Sequence, residues 1–174
     1  LDTAFGQPVF ENCIAAAELR KWMEEHPAAE HLALIDACRN DYPPLTAKGA
    51  TANSCFPVNP AGPAPRTAAT LHSTLPGAVA YQVAGRPYTF FGEAVLEALR
   101  GSAAAGDTQL VFRELVDYVK PRVNLLLREV GATAIEQSVR PRIDGDDGLV
   151  VTELPPGSGA EAAAAVPPPP PAAA

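Results

Sequence analysis

The sequence predicts an α/β domain, and three observations carry that prediction. Four apolar residues, Leu32-Ala33-Leu34-Ile35, run unbroken into Asp36-Ala37-Cys38-Arg39-Asn40. A short continuous apolar run reads as a fully buried strand of a parallel sheet. A helix-period stretch leads directly into that run, and two further amphipathic stretches follow it, over residues 89–100 and 112–130. In open α/β sheets, chemistry sits just beyond the carboxyl ends of the strands. Cys38 falls at that point, between Asp36 and Arg39. Position alone leaves two readings of Cys38 open, a working thiol or a small buried apolar side chain at a strand end.

The 174 residues are one domain's worth of chain, enough for a real core. A net charge of -7 is the opposite of the basic face that nucleic acid requires. No apolar run approaches the ~18 residues of a membrane-spanning helix, so neither nucleic acid nor a membrane is expected as a partner. The 3 cysteines, Cys13, Cys38 and Cys55, form no even disulfide framework and no Cys-x-x-Cys pair. A reduced, cytoplasmic protein is the simplest reading. The histidines, His26, His31 and His72, lack metal-ligand spacing. The acids form no loop motif for Ca²⁺, so no cofactor is expected. The start, Leu1-Asp2-Thr3-Ala4, has neither an initiator Met nor a signal-peptide pattern. It reads as a domain truncated at its N-terminus.

Residues 1–11, with Gly6 and Pro8, read as a loop. Asn12 can cap a helix whose apolar face is Ala15, Leu19, Trp22 and Met23, and Pro27 ends it. A helix feeding a buried strand is half of a βαβ unit, so an earlier strand is expected before residue 12. Residues 41–66 are rich in Pro, Gly, Ala, Asn and Ser without period, a long loop that is functional or disordered. Structure resumes with a short strand around Ala68–His72, a turn at Pro76-Gly77 and an extended segment at 78–83. Thr89 can cap a helix through Arg100 that buries Phe91, Ala94, Val95 and Ala98 and stops at Gly101. The stretch from Phe112 to Val130 is amphipathic but contains Pro121, which predicts a kink or two shorter helices. A last strand is expected at Leu149–Thr152, after the turn at 144–148. These elements make a domain over 1–153. Residues 154–174 are a Pro/Ala-rich tail that cannot bury a core and reads as disordered.

Several chemistries are excluded cheaply. There is no P-loop or G-x-G-x-x-G for nucleotides and no G-x-S-x-G elbow for a serine hydrolase. A phosphatase loop needs an Arg six residues after its Cys, where this chain has Pro44 after Cys38 and Ala61 after Cys55.

A cysteine nucleophile remains, and its surroundings resemble a known family. Ile35-Asp36-Ala37-Cys38-Arg39-Asn40 is similar to the active-site strand end of the caspase-like cysteine peptidases, in their bacterial metacaspase-like form. Thr74-Leu75-Pro76-Gly77-Ala78-Val79-Ala80-Tyr81 resembles the family's strand, Pro-Gly turn and substrate-facing segment. The stretch from Thr89 to Gly101 resembles the helix that follows, and Leu115-Val116-Asp117-Tyr118-Val119 fits the next one. The likeness spans roughly residues 12–153. It implies a caspase-like, mostly parallel sheet flanked by helices, of which residues 1–153 hold the Cys-bearing part.

The activity implied is endopeptidase cleavage after Arg or Lys in a protein or peptide substrate. Cys38 would attack as thiolate, activated by a general base that later protonates the leaving amine. Backbone N–H groups, that of Cys38 among them, would hold the oxyanion. Asp36 stands where the family places part of its primary specificity pocket, and an acid there suits a basic side chain. The plainer reading of Asp36 is a strand-end acid capping local N–H groups. Tyr81 would lie beside the bound peptide; its plainer reading is half-buried packing. Lys48 and Arg66 offer basic points for self-cleavage in the loop, and Arg39 and Asn40 read as loop-structuring.

One departure from the family matters. Its catalytic His precedes the Cys by several tens of residues, in a His-Gly loop, and no such pair occurs here. His26 and His31 flank the wrong end of the strand. At ~3.3 Å per residue, His31 is about 20 Å from Cys38. His72 is the histidine whose strand would neighbour that of Cys38, but it has no Gly loop. The partner His is therefore expected upstream of Leu1, and the chain alone is expected to be inactive. The alternative is a non-catalytic caspase-like pseudoprotease, or an interaction module that binds through its sheet edge or Pro-rich tail.

Overall fold

A computed structural model of the chain describes residues 2–4, 7–9, 16–25, 28–37, 67–104 and 108–156. They form a mixed α/β arrangement. A hairpin of β1 (Asp2–Ala4) and β2 (Gln7–Val9) comes first, where a loop was expected. Helix α1 (Ala16–Glu25) leads into β3 (Glu30–Ile35), and β4 (Thr67–His72) follows. Helix α2 (Phe90–Glu97) ends in a wider turn over Ala98–Ser102. Strand β5 (Gln109–Val111) runs into the long helix α3 (Phe112–Glu129), and β6 (Arg140–Asp144) and β7 (Val150–Glu153) close the series.

The central sheet has the order β3-β4-β6. Strands β3 and β4 are parallel, with Ile35 opposite His72, whereas β6 runs antiparallel to β4, with Arg140 opposite His72. Strands β5 and β7 form a separate antiparallel pair. The expected mostly parallel sheet is therefore corrected, since β3·β4 is the one parallel pairing among the described strands. The connection into β6 explains it. Gln137, three residues before β6, is hydrogen-bonded to the carbonyl of Ser73, just past the carboxyl end of β4. A chain entering the sheet from that edge can only run back against β4.

The expected full burial of the Leu32–Ile35 run is also corrected. Among the described residues β3 has one neighbouring strand, and Leu34 is 38% exposed. The earlier strand expected ahead of α1 is not beside it, because β1 and β2 pair only with each other.

Period-2 alternation along β4 divides the molecule into two faces. Ala69 and Leu71 join a core with Phe91, Ala94 and Ala98 of α2 and Leu115, Val119 and Leu126 of α3, all buried. Strand ends β5 and β7 add Leu110, Leu149 and Leu154 to the same core. The other face carries α1, whose Met23 is 3% exposed and whose Trp22 packs edge-on against His31 of β3, ring centres 5.8 Å apart.

Helix α2 starts at Thr89 as expected, its Oγ1 accepting the Gly92 N–H at 2.9 Å. Helical dihedrals break at Gly101 within the wider turn, where a φ of 106° favours a residue without a Cβ. Helix α3 is a single helix, not two. Pro121 and Asp117, the residue whose carbonyl loses a partner to the proline ring, both lie on the exposed side, where water can satisfy that carbonyl.

A charged clamp ties α2 to α3. Arg122 is 8% exposed and donates to both Glu97 oxygens, at 2.6 and 2.8 Å, and to Glu129 at 2.8 Å. The Tyr118 hydroxyl donates to Glu97 at 3.0 Å. Burial alone would raise the Glu97 carboxyl. The hydrogen bonds from Arg122 and Tyr118, with the charges of Arg122 and Arg100, outweigh burial and hold it below its ordinary 4.5. Burial and the Glu97 carboxylate push the Tyr118 phenol above 10.0.

Candidate functional site

The carboxyl ends of β3 and β4 meet the N-terminus of α2 and the segment ahead of β6, and hydrogen bonds knit these four pieces into a closed ring. Ser73 and Thr74, both 0% exposed, grip the end of β3. The Ser73 N–H donates to the Ile35 carbonyl at 2.9 Å. Ser73 Oγ accepts the Ala37 N–H at 3.2 Å and donates to the Ala37 carbonyl at 3.3 Å, and Thr74 Oγ1 donates to that carbonyl at 3.4 Å. These bonds extend the strand's order past Ile35 as far as Ala37, next to Cys38.

Gln137 is the hub of the ring. Its side chain is 2% exposed and bridges two backbone groups, donating from Nε2 to the Ser73 carbonyl at 3.0 Å and accepting the Tyr81 N–H at 3.2 Å. Asn124 of α3 fixes the hub in turn. Its Oδ1 accepts the Gln137 N–H at 2.9 Å and its Nδ2 donates to the Gln137 carbonyl at 3.2 Å. A buried amide with this many partners is held in one orientation.

From Tyr81 the ring passes to α2, because the Phe90 N–H donates to the Tyr81 carbonyl at 3.3 Å. Thr89 closes it, its hydroxyl donating to the Asp36 carboxylate while the same oxygen caps Gly92. Gly92 leaves the space for this. A Cβ there would stand 3.2 Å from Thr89 Oγ1 and 3.6 Å from Asp36 Oδ2. Asp36 thus sits at the positive end of α2, where a carboxylate is favoured. The turn Leu75–Ala78 carries the chain from β4 to the Tyr81 segment. Its Ala78 N–H donates to the Leu75 carbonyl at 3.1 Å, and Gly77 supplies the positive φ of 80°.

Of the residues singled out from sequence, Asp36 and Tyr81 are both members of the ring. Asp36 is exposed and accepts from the hydroxyl of Thr89, the cap residue of α2, while part of its carboxylate surface stays open to solvent. Tyr81 is half-buried, and its side chain packs against the core. Cys38, Arg39, Asn40, Lys48 and Arg66 lie outside the described residues, as do the loop 41–66, the Asn12 cap and the tail from residue 157. His72 lies on the α1 face of the sheet, opposite Ile35 in register, whereas Asp36 reaches α2 on the other side.

Ser73, Thr74, Asn124 and Gln137 escaped the sequence reading. Ser73 and Thr74 had one visible signal, two small hydroxyl residues immediately after a strand. Gln137 had none.

Among the described residues, no group of three or more His, Cys, Asp or Glu is placed to hold a metal ion. No helix among them is long and apolar enough to cross a membrane. A hollow of 810 Å³ along α3 between Tyr118 and Ile135 is lined by neither Asp36 nor Tyr81 and stands apart from the ring. No family model, curated protein or solved structure matches the chain.

Proposed function

We propose that the chain carries the nucleophile-bearing part of a caspase-like cysteine endopeptidase that cleaves after Arg or Lys. In this reading Cys38 is the attacking thiol, Asp36 receives the basic side chain, and Tyr81 flanks the bound peptide. The observation that carries it is the ring at the carboxyl end of β3, which holds the two residues ahead of Cys38 by backbone and side chain at once. A nucleophile acts efficiently only when its approach is fixed to within a fraction of an ångström. Three hydrogen bonds hold the backbone of Ala37, the residue before Cys38.

Asp36 fits its assigned part because Thr89 takes one of the roughly four lone-pair directions of a carboxylate. The others are left for the fork of an Arg or the ammonium of a Lys. Neither His31 nor His72 serves as the general base in this reading, since both lie on the α1 face, away from Asp36.

The test uses the longest form that the reading frame encodes, assayed on fluorogenic peptides ending in Arg, Lys or Asp. Cleavage is expected after Arg and Lys only, to be abolished in Cys38→Ala. In Asp36→Asn, kcat/KM should fall about a hundredfold, the scale for losing one partner of a buried charge pair. Absence of cleavage together with a Cys38 inert to iodoacetamide removes the peptidase reading. In that case, saturable binding of the same peptides marks a pseudoprotease.

A further inference from the structure

We propose that the groove between α1 and the central sheet binds an organic anion, a phosphate or carboxylate carried on an apolar body. The groove, 680 Å³, lies on the sheet face opposite the main core, over β4 and between α1 and β6. That volume is in the range of sites that enclose small organic ligands, roughly 300–1,000 Å³.

Its charge is the first argument. The chain has 20 acidic against 13 basic residues. Yet among the described residues lining the groove there is no Asp or Glu, while Arg20, Arg140, Arg142 and His72 all line it. Register explains the convergence. Arg142 stands opposite Thr70 and Arg140 opposite His72, so both arginines leave β6 on the α1 face, about 7 Å apart along the strand. Arg20 reaches the same space from α1. An anion seated there would face guanidinium groups from both α1 and β6.

Local carboxylates do little to offset the charge of the two β6 arginines. Arg142 pairs with Asp144 at 3.1 Å, but the side chains are 46% and 59% exposed, and such a pair contributes little. Arg140 has no carboxylate partner among the described residues. Guanidinium groups favour phosphate and carboxylate because their donors form a planar fork.

The floor decides the rest of the ligand. Leu19, Ile35 and Leu75 present apolar surface below the basic rim. A bare inorganic ion would leave that surface wet, whereas a phenyl or alkyl body would cover it.

Titration calorimetry with phenyl phosphate on the folded chain tests the proposal. Saturable one-to-one binding is expected, weakened about tenfold or more in Arg140→Gln and in Arg142→Gln. Arg142→Lys, which keeps the charge without the fork, should fall between. Arg113→Gln, removing an exposed arginine outside the groove, should bind as the parent does. Both groove arginines are exposed on an edge strand, so their replacement leaves the fold in place, which far-UV circular dichroism checks. Inorganic phosphate should bind at least tenfold more weakly, and benzyl alcohol not at all. Absence of saturable heat with phenyl phosphate, or equal affinity in both glutamine variants, overturns the site. Equal affinity for inorganic phosphate overturns the part assigned to the apolar floor.

Discussion

On the α2–α3 side of the central sheet, Ala69 and Leu71 are sealed at 0% exposure, and a bidentate ion pair locks the two helices over them. On the α1 side, α1 buries Met23 but leaves Leu19 and Trp22 half-open, and arginines rim the remaining space. The same strands serve both faces. The difference is the cover, since α2 and α3 together seal β4 on their side while α1 alone spans part of the opposite face. Stability is concentrated where burial is complete, and the open face keeps surface to which a ligand can bind. The hydrogen-bonded ring belongs to neither face. It runs along the carboxyl edge, where the chain must turn and its backbone groups need partners.

Substitutions that act on one face at a time sharpen this contrast. The largest effect is expected from Leu115→Ala, which opens a cavity at a 0% exposed position. Urea unfolding should report a loss of about 2–5 kcal/mol. Leu19→Ala on the half-open face should cost under about 1 kcal/mol, because neighbours and water fill the gap. Equal losses would contradict the difference in packing.

Arg122→Ala comes next, at about 2–4 kcal/mol, because it leaves Glu97 half-buried and unpaired. Replacing both partners, with Arg122→Met and Glu97→Leu, should recover most of the loss. The clamp also sets a pH window. Glu97 titrates below its ordinary 4.5 when folded, so its contribution is present above that value and fades as pH falls through the lower folded value. Tyr118 titrates above 10.0 when folded, so its contribution is present below 10.0 and is lost as pH rises through the higher value. The urea midpoint should therefore drop at both extremes, and Glu97→Gln should flatten the acid side.

Gln137→Ala removes the hub of the ring. A cost of about 1–3 kcal/mol is expected from the backbone partners left unpaired. Hydrogen exchange at the Ala37 and Tyr81 amides should accelerate more than exchange in α3, a pattern that a general loss of stability would not produce.

Thr89→Ala is the mildest. Losing the cap should cost about 1 kcal/mol, and Asp36 loses its hydroxyl partner at the same stroke. If the ring positions Asp36, the extended protein should lose discrimination for Arg and Lys substrates beyond what the stability change explains.

Much of the fold was legible because local rules decide it. Thr89 caps a helix because its hydroxyl needs an N–H two to three residues on, and its neighbours Phe91, Ala94, Val95 and Ala98 repeat at helical spacing. All four are buried. Gly77 and Gly101 mark backbone that bends through positive φ. Strand β6 was not legible, since Arg140-Pro141-Arg142 has the composition of a loop, and an edge strand tolerates both charge and proline. Strand β5 is only three residues long, too short for a period to show. Pro121 misled in the other direction, because the break it threatens is tolerated where the orphaned carbonyl meets water.

For the candidate site the division is similar. Sequence by itself determined that a strand ends at Ile35, that Asp36 and a cysteine follow it, and that a capped helix begins at Thr89. Each of these depends on residues within a turn of one another. Tertiary structure alone decided that Asp36 meets Thr89 across 53 positions and that Gln137 joins Ser73 to Tyr81 across 64 and 56. It alone brought Arg20 alongside Arg140 and Arg142. Hydrogen bonds and charge clusters of that reach leave no period in a chain, because only the packing of whole elements sets which distant side chains share a space.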